Sequence, residues 1–347
     1  MRQRLPRTAT VLVAFAFAVA VARAQSIPRQ GNPEDHLPPN ITHLTWFGER
    51  ASWSPDGQRI AFMSKSFGDA FEIDLRDRAI RLLTHYPHPG FLRVQYLPNG
   101  DYFLIGARSF ADVNVTRGRD QEMWVLPHDF KPGDHALPLD HKISEGVAVS
   151  RASARIAWSN THGQYPDQLA EGESVIYTAD VVSQDGRPAL ANKKEVLRAK
   201  APECTLEAQD FRRNDSELIY TCYRGKFADV FGVDLASGRV TTYRKLEGEY
   251  NEVEGIFPDG EHTLVESSRD QAQHDASHID LWKLRLEPNS GSFERMTRWG
   301  DYEGFKASNP VVAPDGRSFA FQSARSTDAA GVGYGLFIYR VGGDSKR

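Results

Sequence analysis

Hydrophobic and polar positions alternate in short runs along most of the chain, and the runs come in pairs separated by a tight turn. In the clearest copy, Trp53-Ser-Pro-Asp-Gly-Gln-Arg-Ile-Ala-Phe62, Pro-Asp-Gly stands between two such runs. Proline fixes φ where the turn begins, and glycine accepts the left-handed backbone that ends it. The pattern therefore predicts a β-hairpin. The same template recurs in segments 96–105, 149–158, 211–220, 256–265 and 312–321.

A third apolar run follows every predicted hairpin, and a fourth often ends in Leu-Thr or Met-Thr, as at Leu83-Thr84 and Met296-Thr297. Six repeats of a four-stranded unit predict an all-β fold, a six-bladed β-propeller. The sixth unit has no fourth strand, whereas Ile41–Thr45 precedes the first unit and resembles a fourth strand. We predict that this N-terminal strand completes the last blade and closes the ring.

The recurring Pro-Asp-Gly segment with its Leu-Thr fourth strands resembles the repeat of the TolB-like propellers. This resemblance implies a propeller domain over residues 40–343, preceded by a linker over 25–39. TolB itself carries an α/β domain before its propeller, and the linker is too short to contain one. Similar propellers also occur in pectin-type oligosaccharide lyases. The resemblance therefore specifies the fold and says little about the function.

The first 24 residues have the features of a secretory signal peptide. Arg2, Arg4 and Arg7 precede the apolar run 11–22, and Ala22-Arg23-Ala24 is a small-residue cleavage site. The run is shorter than the ~20 apolar residues that a spanning helix needs. We therefore expect a soluble periplasmic or secreted protein with no membrane span.

Two cysteines flank the fourth predicted hairpin at equal distances from its turn. An oxidising compartment would allow Cys204 and Cys222 to form a disulfide across this hairpin. We predict that bond, with two buried free thiols as the alternative.

Composition limits the classes of partner. The chain is 40% hydrophobic and 25% charged, with a net charge of −4 and no basic block. These values are typical of a globular protein and do not favour binding to nucleic acid. We expect a monomer whose partner is an envelope protein or an oligosaccharide.

Alignment of the six units places glutamate at one template position in four of them, at the start of the innermost strand. These residues are expected near the mouth of the central channel, where converging carboxylates need a cation or a basic group among them. A solvated rim of acids paired with arginines is the alternative. Aromatic residues on the inner-strand loops could stack against sugars or protein side chains. The candidate ligand-binding residues are Glu49, Glu145, Glu207, Glu252, Trp46, Tyr250, Trp299 and Tyr302.

Five histidines lie on loops of the same predicted face. Three imidazoles and a carboxylate could hold a divalent metal such as manganese, zinc or calcium, although ordinary loop histidines would give the same pattern. The candidate metal ligands are His85, His88, His162, His274 and His278.

Two functional hypotheses follow. The first is a non-enzymatic propeller that binds a protein or a glycan at its loop face. The alternative is a carbohydrate-active enzyme, either a metal-assisted oligosaccharide lyase or a glycoside hydrolase that uses two glutamates at the channel mouth.

Overall fold

The computed structural model describes residues 28–271, 273–328 and 331–342. The predicted signal peptide, residues 1–24, lies outside these ranges. Six four-stranded antiparallel sheets are arranged as the blades of a ring, which confirms the predicted six-bladed β-propeller. In the first five blades the strands follow chain order from the innermost to the outermost.

The first three blades contain β2–β5, β6–β9 and β10–β13. Their strands are β2 Glu49–Trp53, β3 Arg59–Met63, β4 Ala70–Asp74 and β5 Ile80–Leu82; β6 Phe91–Tyr96, β7 Tyr102–Ala107, β8 Gln121–Leu126 and β9 Leu137–Lys142; β10 Val147–Val149, β11 Arg155–Thr161, β12 Glu173–Gln184 and β13 Arg187–Lys200. The long β12–β13 hairpin extends beyond the other blades.

The last three blades contain β14–β17, β18–β21 and β22–β24, the last completed by β1. Their strands are β14 Thr205–Arg212, β15 Glu217–Arg224, β16 Phe227–Asp234 and β17 Val240–Arg244; β18 Asn251–Ile256, β19 His262–Ser267, β20 Asp280–Arg285 and β21 Phe293–Arg295; β22 Phe305–Val312, β23 Ser318–Arg325, β24 Leu336–Arg340 and β1 Ile41–Thr45. Short helical turns occur at Pro33–His36, Val113–Val115, Thr116–Asp120 and Trp299–Asp301.

The ring is closed by strands from both ends of the described chain. β1 pairs antiparallel with β24, with Ile41 opposite Tyr339. The Leu336 amide also donates a 3.3 Å hydrogen bond to the Thr45 hydroxyl. This pairing confirms the predicted closure, with β1 as the outermost strand of the last blade.

Apolar side chains fill the boundaries between neighbouring blades. Trp158 of β11 packs in one cluster with Phe103 of β7, between the second and third blades. Phe321 and Phe337 pack with Trp299 between the fifth and sixth blades. Because apolar burial holds the blades side by side, the innermost strands are fixed around a central channel.

The hairpin turns between the first and second strands of each blade define one face of the propeller, here named the turn face. Gly57, Gly100, Gly260 and Gly316 are left-handed there, with φ between 67° and 90°, as the Pro-Asp-Gly pattern requires. The fourth blade lacks this pattern, and its turn instead uses three consecutive left-handed residues, 213–215. The opposite face, which carries the connections into the innermost strands, is named the loop face.

The innermost strands are irregular where they border the channel. In five blades the register between the first and second strands shifts, for example between Glu49 and Ser52 and between Ser308 and Val311. Arg50 and Asn309 have left-handed backbones within these two shifts, with φ of 53° and 48°. A bulge breaks the alternation of side chains, so successive residues can face the channel.

Cys204 and Cys222 form a disulfide with their Cα atoms 5.2 Å apart. In the β14–β15 ladder Cys222 lies opposite Leu206, so the cysteines bridge the hairpin diagonally. Arg212 pairs with Glu217, so the turn is centred between Asn214 and Asp215 and not on Arg213, which displaces the two cysteines from a directly opposite pairing. Within the described residues, no helix is long and apolar enough to cross a membrane.

Candidate functional site

The four template glutamates line one cavity at the loop-face end of the channel. This cavity, named the mouth, has a volume of about 220 Å³. Glu49, Glu145, Glu207 and Glu252 come from four different blades and all border it. The structure therefore brings together the four carboxyl groups that the template alignment selected, and adds Glu266 of β19.

Arginines neutralise one side of the mouth. Glu145 forms ion pairs with Arg117, from the β7–β8 loop, and with Arg50, whose Nη2 lies 3.4 Å away. Burial raises the pKa of Glu145, but the two arginines outweigh it and lower the pKa to about 2. Glu49 accepts a 2.8 Å hydrogen bond from Ser66, and burial raises its pKa.

Tyrosines, rather than cations, contact the carboxyl groups on the other side of the mouth. The Tyr223 hydroxyl lies 2.6 Å from both Glu207 and Glu252. Tyr250 donates a second hydrogen bond to Glu252. Burial and the neighbouring Glu252 raise the pKa of Glu207 to about 8, so this carboxyl group retains its proton at neutral pH.

Two further carboxyl groups extend this side into the channel. Oxygen atoms of Glu252, Glu254 and Glu266 all lie within 4.8 Å of one another. The backbone N–H of Asn309 donates a 2.5 Å hydrogen bond to Oε1 of Glu266. Burial, and then repulsion within the group, raises the pKa of Glu266 to about 8 and that of Glu254 well above its ordinary value.

The two sides of the mouth differ in their ion pairs. Among the described residues, none of Glu207, Glu252, Glu254 and Glu266 has a basic side chain within ion-pair distance. We name these four residues the unpaired carboxyl cluster. Sequence reasoning missed Glu254 and Glu266. Glu254 is the second residue after Glu252 in β18, and alternate residues of a strand point to the same side, so this spacing was the available signal for Glu254.

The four candidate aromatic residues occupy different environments. Tyr250 lines the mouth. Trp46 is 79% exposed in the β1–β2 connection and stacks on His43 with ring centroids 3.7 Å apart. Trp299 is only 2% exposed, packed against Phe321 and Phe337. Tyr302 is buried beneath the N-terminal linker, where Arg29 covers its ring.

The structure does not assemble the five candidate histidines into a metal centre. His88 lies 2.9 Å from Asp69, His162 lies 2.7 Å from the Leu169 carbonyl, and His278 lies 3.3 Å from Asp275. His274 contacts the carbonyl of Ser268, and His85 is exposed. Each of these four imidazoles therefore has a separate hydrogen-bond partner nearby in the fold. In the described chain, the side chains spaced closely enough to bind one metal ion are Glu252, Glu254 and Glu266.

Exposed and half-buried apolar side chains lie on the loop-face connections of three neighbouring blades, one of which reaches the mouth. The backbone N–H groups of Ser66 and Gly48 donate hydrogen bonds to the carbonyls of Gly331 and Gly333, respectively. The rings of Phe67 and Phe110 lie 5.2 Å apart. Three connections from the sixth, first and second blades are therefore continuous. We name their apolar side chains the apolar arc: Trp46, Phe47, Phe67, Phe110 and Val332. Val332 itself lines the mouth.

The chain matches no protein-family profile and no curated protein. Among solved structures, it is similar to TolB from Acinetobacter baumannii, with a TM-score of 0.52 and 12% identity, covering 87% of this chain and 65% of TolB. It is also similar to an oligogalacturonate lyase in complex with manganese, with a TM-score of 0.50 and 12% identity, covering 84% and 77% of the two chains. At this identity the likeness concerns the fold alone: the chain is a six-bladed β-propeller with a fold similar to that of the TolB propeller.

Proposed function

We propose that this protein is an exported, periplasmic or secreted propeller that binds a polypeptide partner at its loop face. Its proposed site consists of the mouth and the adjoining apolar arc. Export is supported by the signal-peptide pattern of residues 1–24 and by the Cys204–Cys222 disulfide, a bond typical of oxidising compartments. The observation that carries the binding role is that carboxyl groups without a basic partner and the exposed side chain of Val332, a member of the apolar arc, line the same cavity.

The unpaired carboxyl cluster favours a cationic side chain from the partner. Glu207, Glu252 and Glu266 line the mouth without an ion pair, and burial disfavours the charged forms of Glu207 and Glu266. A lysine or arginine entering the mouth would stabilise those charged forms and supply hydrogen-bond donors. The partner's basic side chain is therefore expected between the fourth and fifth blades.

The apolar arc supplies the second half of the surface. Trp46 and Val332 are 79% and 51% exposed, and contiguous exposed apolar side chains are typical of protein–protein contacts. An aromatic anchor such as Trp46 commonly contributes much of the binding energy of an interface. The expected recognition sequence has apolar residues flanking a lysine or arginine.

A random peptide library selected against the protein tests this proposal. Enriched peptides should contain a basic residue flanked by apolar ones, and replacement of the basic residue by norleucine should weaken binding at least about tenfold. The Glu207→Gln/Glu252→Gln variant should show the same loss, while Glu247→Gln, which changes an exposed acid, should not. Enrichment without a basic residue, or unchanged binding by the double variant, would contradict the proposal.

A carbohydrate-active enzyme is the second candidate, and one observation favours it. The mouth contains one glutamate with a pKa of about 2, Glu145, and one with a pKa of about 8, Glu207. Glycoside hydrolases separate a carboxylate from a proton-donating carboxyl group in this way. The test is release of nitrophenol from a panel of 4-nitrophenyl glycosides. Turnover lost in both Glu145→Gln and Glu207→Gln but retained in Glu247→Gln would support the enzyme.

A further inference from the structure

A second cavity occupies the opposite end of the channel. It has a volume of about 180 Å³ and reaches the turn face, where Pro55, Pro98 and Pro314 of three hairpin turns border it. Arg50, Arg93 and Asn309 line both this turn-face cavity and the mouth. These three residues therefore form the narrow waist of the channel.

Arg93 is a cation without a partner at this waist. Among the described residues it makes no ion pair or hydrogen bond, and its Nε is buried. Its charge acts on the carboxyl groups of residues 49, 145, 207 and 254, which come from four other blades, so it lies near the propeller axis. Arg93 is half-buried and its Nε is shielded from water, so a bound anion would stabilise this guanidinium by supplying the ion pair that the described residues do not.

Two further buried polar atoms near Arg93 lack partners. Gln209 Nε2 is an unused donor and Gln95 Oε1 an unused acceptor, and both side chains line the turn-face cavity. Buried amide groups are normally hydrogen-bonded, so unsatisfied groups around one cavity indicate a polar occupant. Trp53, Val149 and Val311 give one part of the remaining wall an apolar surface. The rest of the wall is polar and includes serines and the ion pair between Arg151 and Asp210.

We propose that the turn-face cavity binds a small monocarboxylate with a compact apolar body. Its carboxylate pairs with Arg93 and accepts a hydrogen bond from Gln209, and its body packs against Trp53, Val149 and Val311. A single negative charge fits, because one guanidinium is unpaired and Glu254 borders the same cavity. Gln95 can accept a hydrogen bond from a hydroxyl or amide group beside the carboxylate.

Phenylacetate and its neutral analogue phenylacetamide are suitable probes, measured by calorimetry and saturation-transfer NMR. Phenylacetate should bind at least about tenfold more tightly than the amide, because the charge-assisted pair with Arg93 is lost in the amide. Arg93→Gln should weaken phenylacetate binding by a similar factor. Arg76→Gln removes an equal charge at an exposed ion pair and should have no effect.

Val149→Phe gives an independent test, because it fills the turn-face cavity without altering any residue that lines the mouth. It should abolish phenylacetate binding and leave peptide binding at the loop face unchanged. Equal affinity for acid and amide, unchanged binding in Arg93→Gln, or no phenylacetate binding up to about 10 mM would overturn the proposal. Since the peptide selection uses the opposite face, either proposal can fail alone.

Discussion

The hydroxyl oxygen of Tyr223 lies 2.6 Å from a carboxyl oxygen of Glu207, and the phenol has one proton to donate. The same oxygen lies 2.6 Å from Glu252. Both contacts are hydrogen bonds only if one of the carboxyl groups is protonated and donates to the tyrosine. Burial and the neighbouring Glu252 raise the pKa of Glu207 and so favour its protonated form, which makes Glu207 the expected donor to the tyrosine.

Removal of the Tyr223 hydroxyl should destabilise the protein. Tyr223→Phe leaves two half-buried carboxyl groups without their shared partner, which is expected to lower the free energy of unfolding by about 1–3 kcal/mol. Urea unfolding measures the change. Tyr177→Phe is the matched control, since its half-buried hydroxyl makes no hydrogen bond in the described chain, and should change stability by less than about 0.5 kcal/mol. Equal losses in the two variants would refute the bridging role.

Stability should decrease as the pH rises from about 5 to about 8. The pKa values of Glu207 and Glu266 are about 8 in the folded protein, against an ordinary value of 4.5. In this window the unfolded chain has released both protons while the folded chain retains them, so each proton lowers the free energy of unfolding by up to about 1.4 kcal/mol per pH unit.

Urea unfolding across this range checks the pH dependence. Glu207→Gln/Glu266→Gln should flatten the profile, whereas wild-type stability that stays constant would contradict it. Glu145 acts in the opposite sense, because its pKa is lowered to about 2. Its contribution is present above pH 4.5 and is lost as the pH falls towards 2.

The two tryptophans proposed as ligand contacts should respond differently to alanine. Trp299→Ala removes a side chain that is 2% exposed and is expected to cost about 3–5 kcal/mol of stability. Trp46→Ala should leave stability nearly unchanged and reduce binding of the selected peptides. Thermal unfolding and peptide affinity, measured on both variants, distinguish these effects. Strong destabilisation by Trp46→Ala would argue against its role as an exposed anchor.

The disulfide should contribute measurably to stability. Cys204 and Cys222 are separated by 18 residues, and closing a loop of this length restricts the unfolded chain by about 3 kcal/mol. Cys204→Ser/Cys222→Ser should lose about this amount in urea unfolding. Dithiothreitol should destabilise the wild type similarly and leave the variant unaffected. A variant still sensitive to the reductant would show that the loss has another origin.

Much of the fold could be predicted from the sequence because its repeats are regular. Each Pro-Asp-Gly turn fixed the position of a hairpin, and the spare strand Ile41–Thr45 required a partner that only β24 could supply. The same alignment also predicted that Glu49, Glu145, Glu207 and Glu252 would converge. Residues at equivalent positions of a closed ring must face a common axis.

The remaining site residues depend on details that the repeat does not encode. Arg93 reaches the channel where a bulge interrupts β6, and Arg117 reaches it from the β7–β8 loop. Arg93 immediately follows Leu92, the template residue of the second blade, and this adjacency was the available signal. Tyr223 lies in β15, the second strand of its blade. The template position that selected the glutamates lies in the first strand, so it gave no information about this residue. The histidines and Trp299 were selected by residue type, which does not reveal burial.

Closure of the ring by β1 also governs the order in which the fold can be completed. Thr45 and Leu336, which meet in the last blade, are separated by 291 positions in the chain. During synthesis the ribosome releases Ile41–Thr45 long before its partner strand exists. The strand must wait as an unpaired edge, with Ile41 and Leu44 uncovered, until β24 arrives. Ring closure therefore depends on a contact of very long range, which makes folding slow and gives the incomplete chain an exposed site for aggregation.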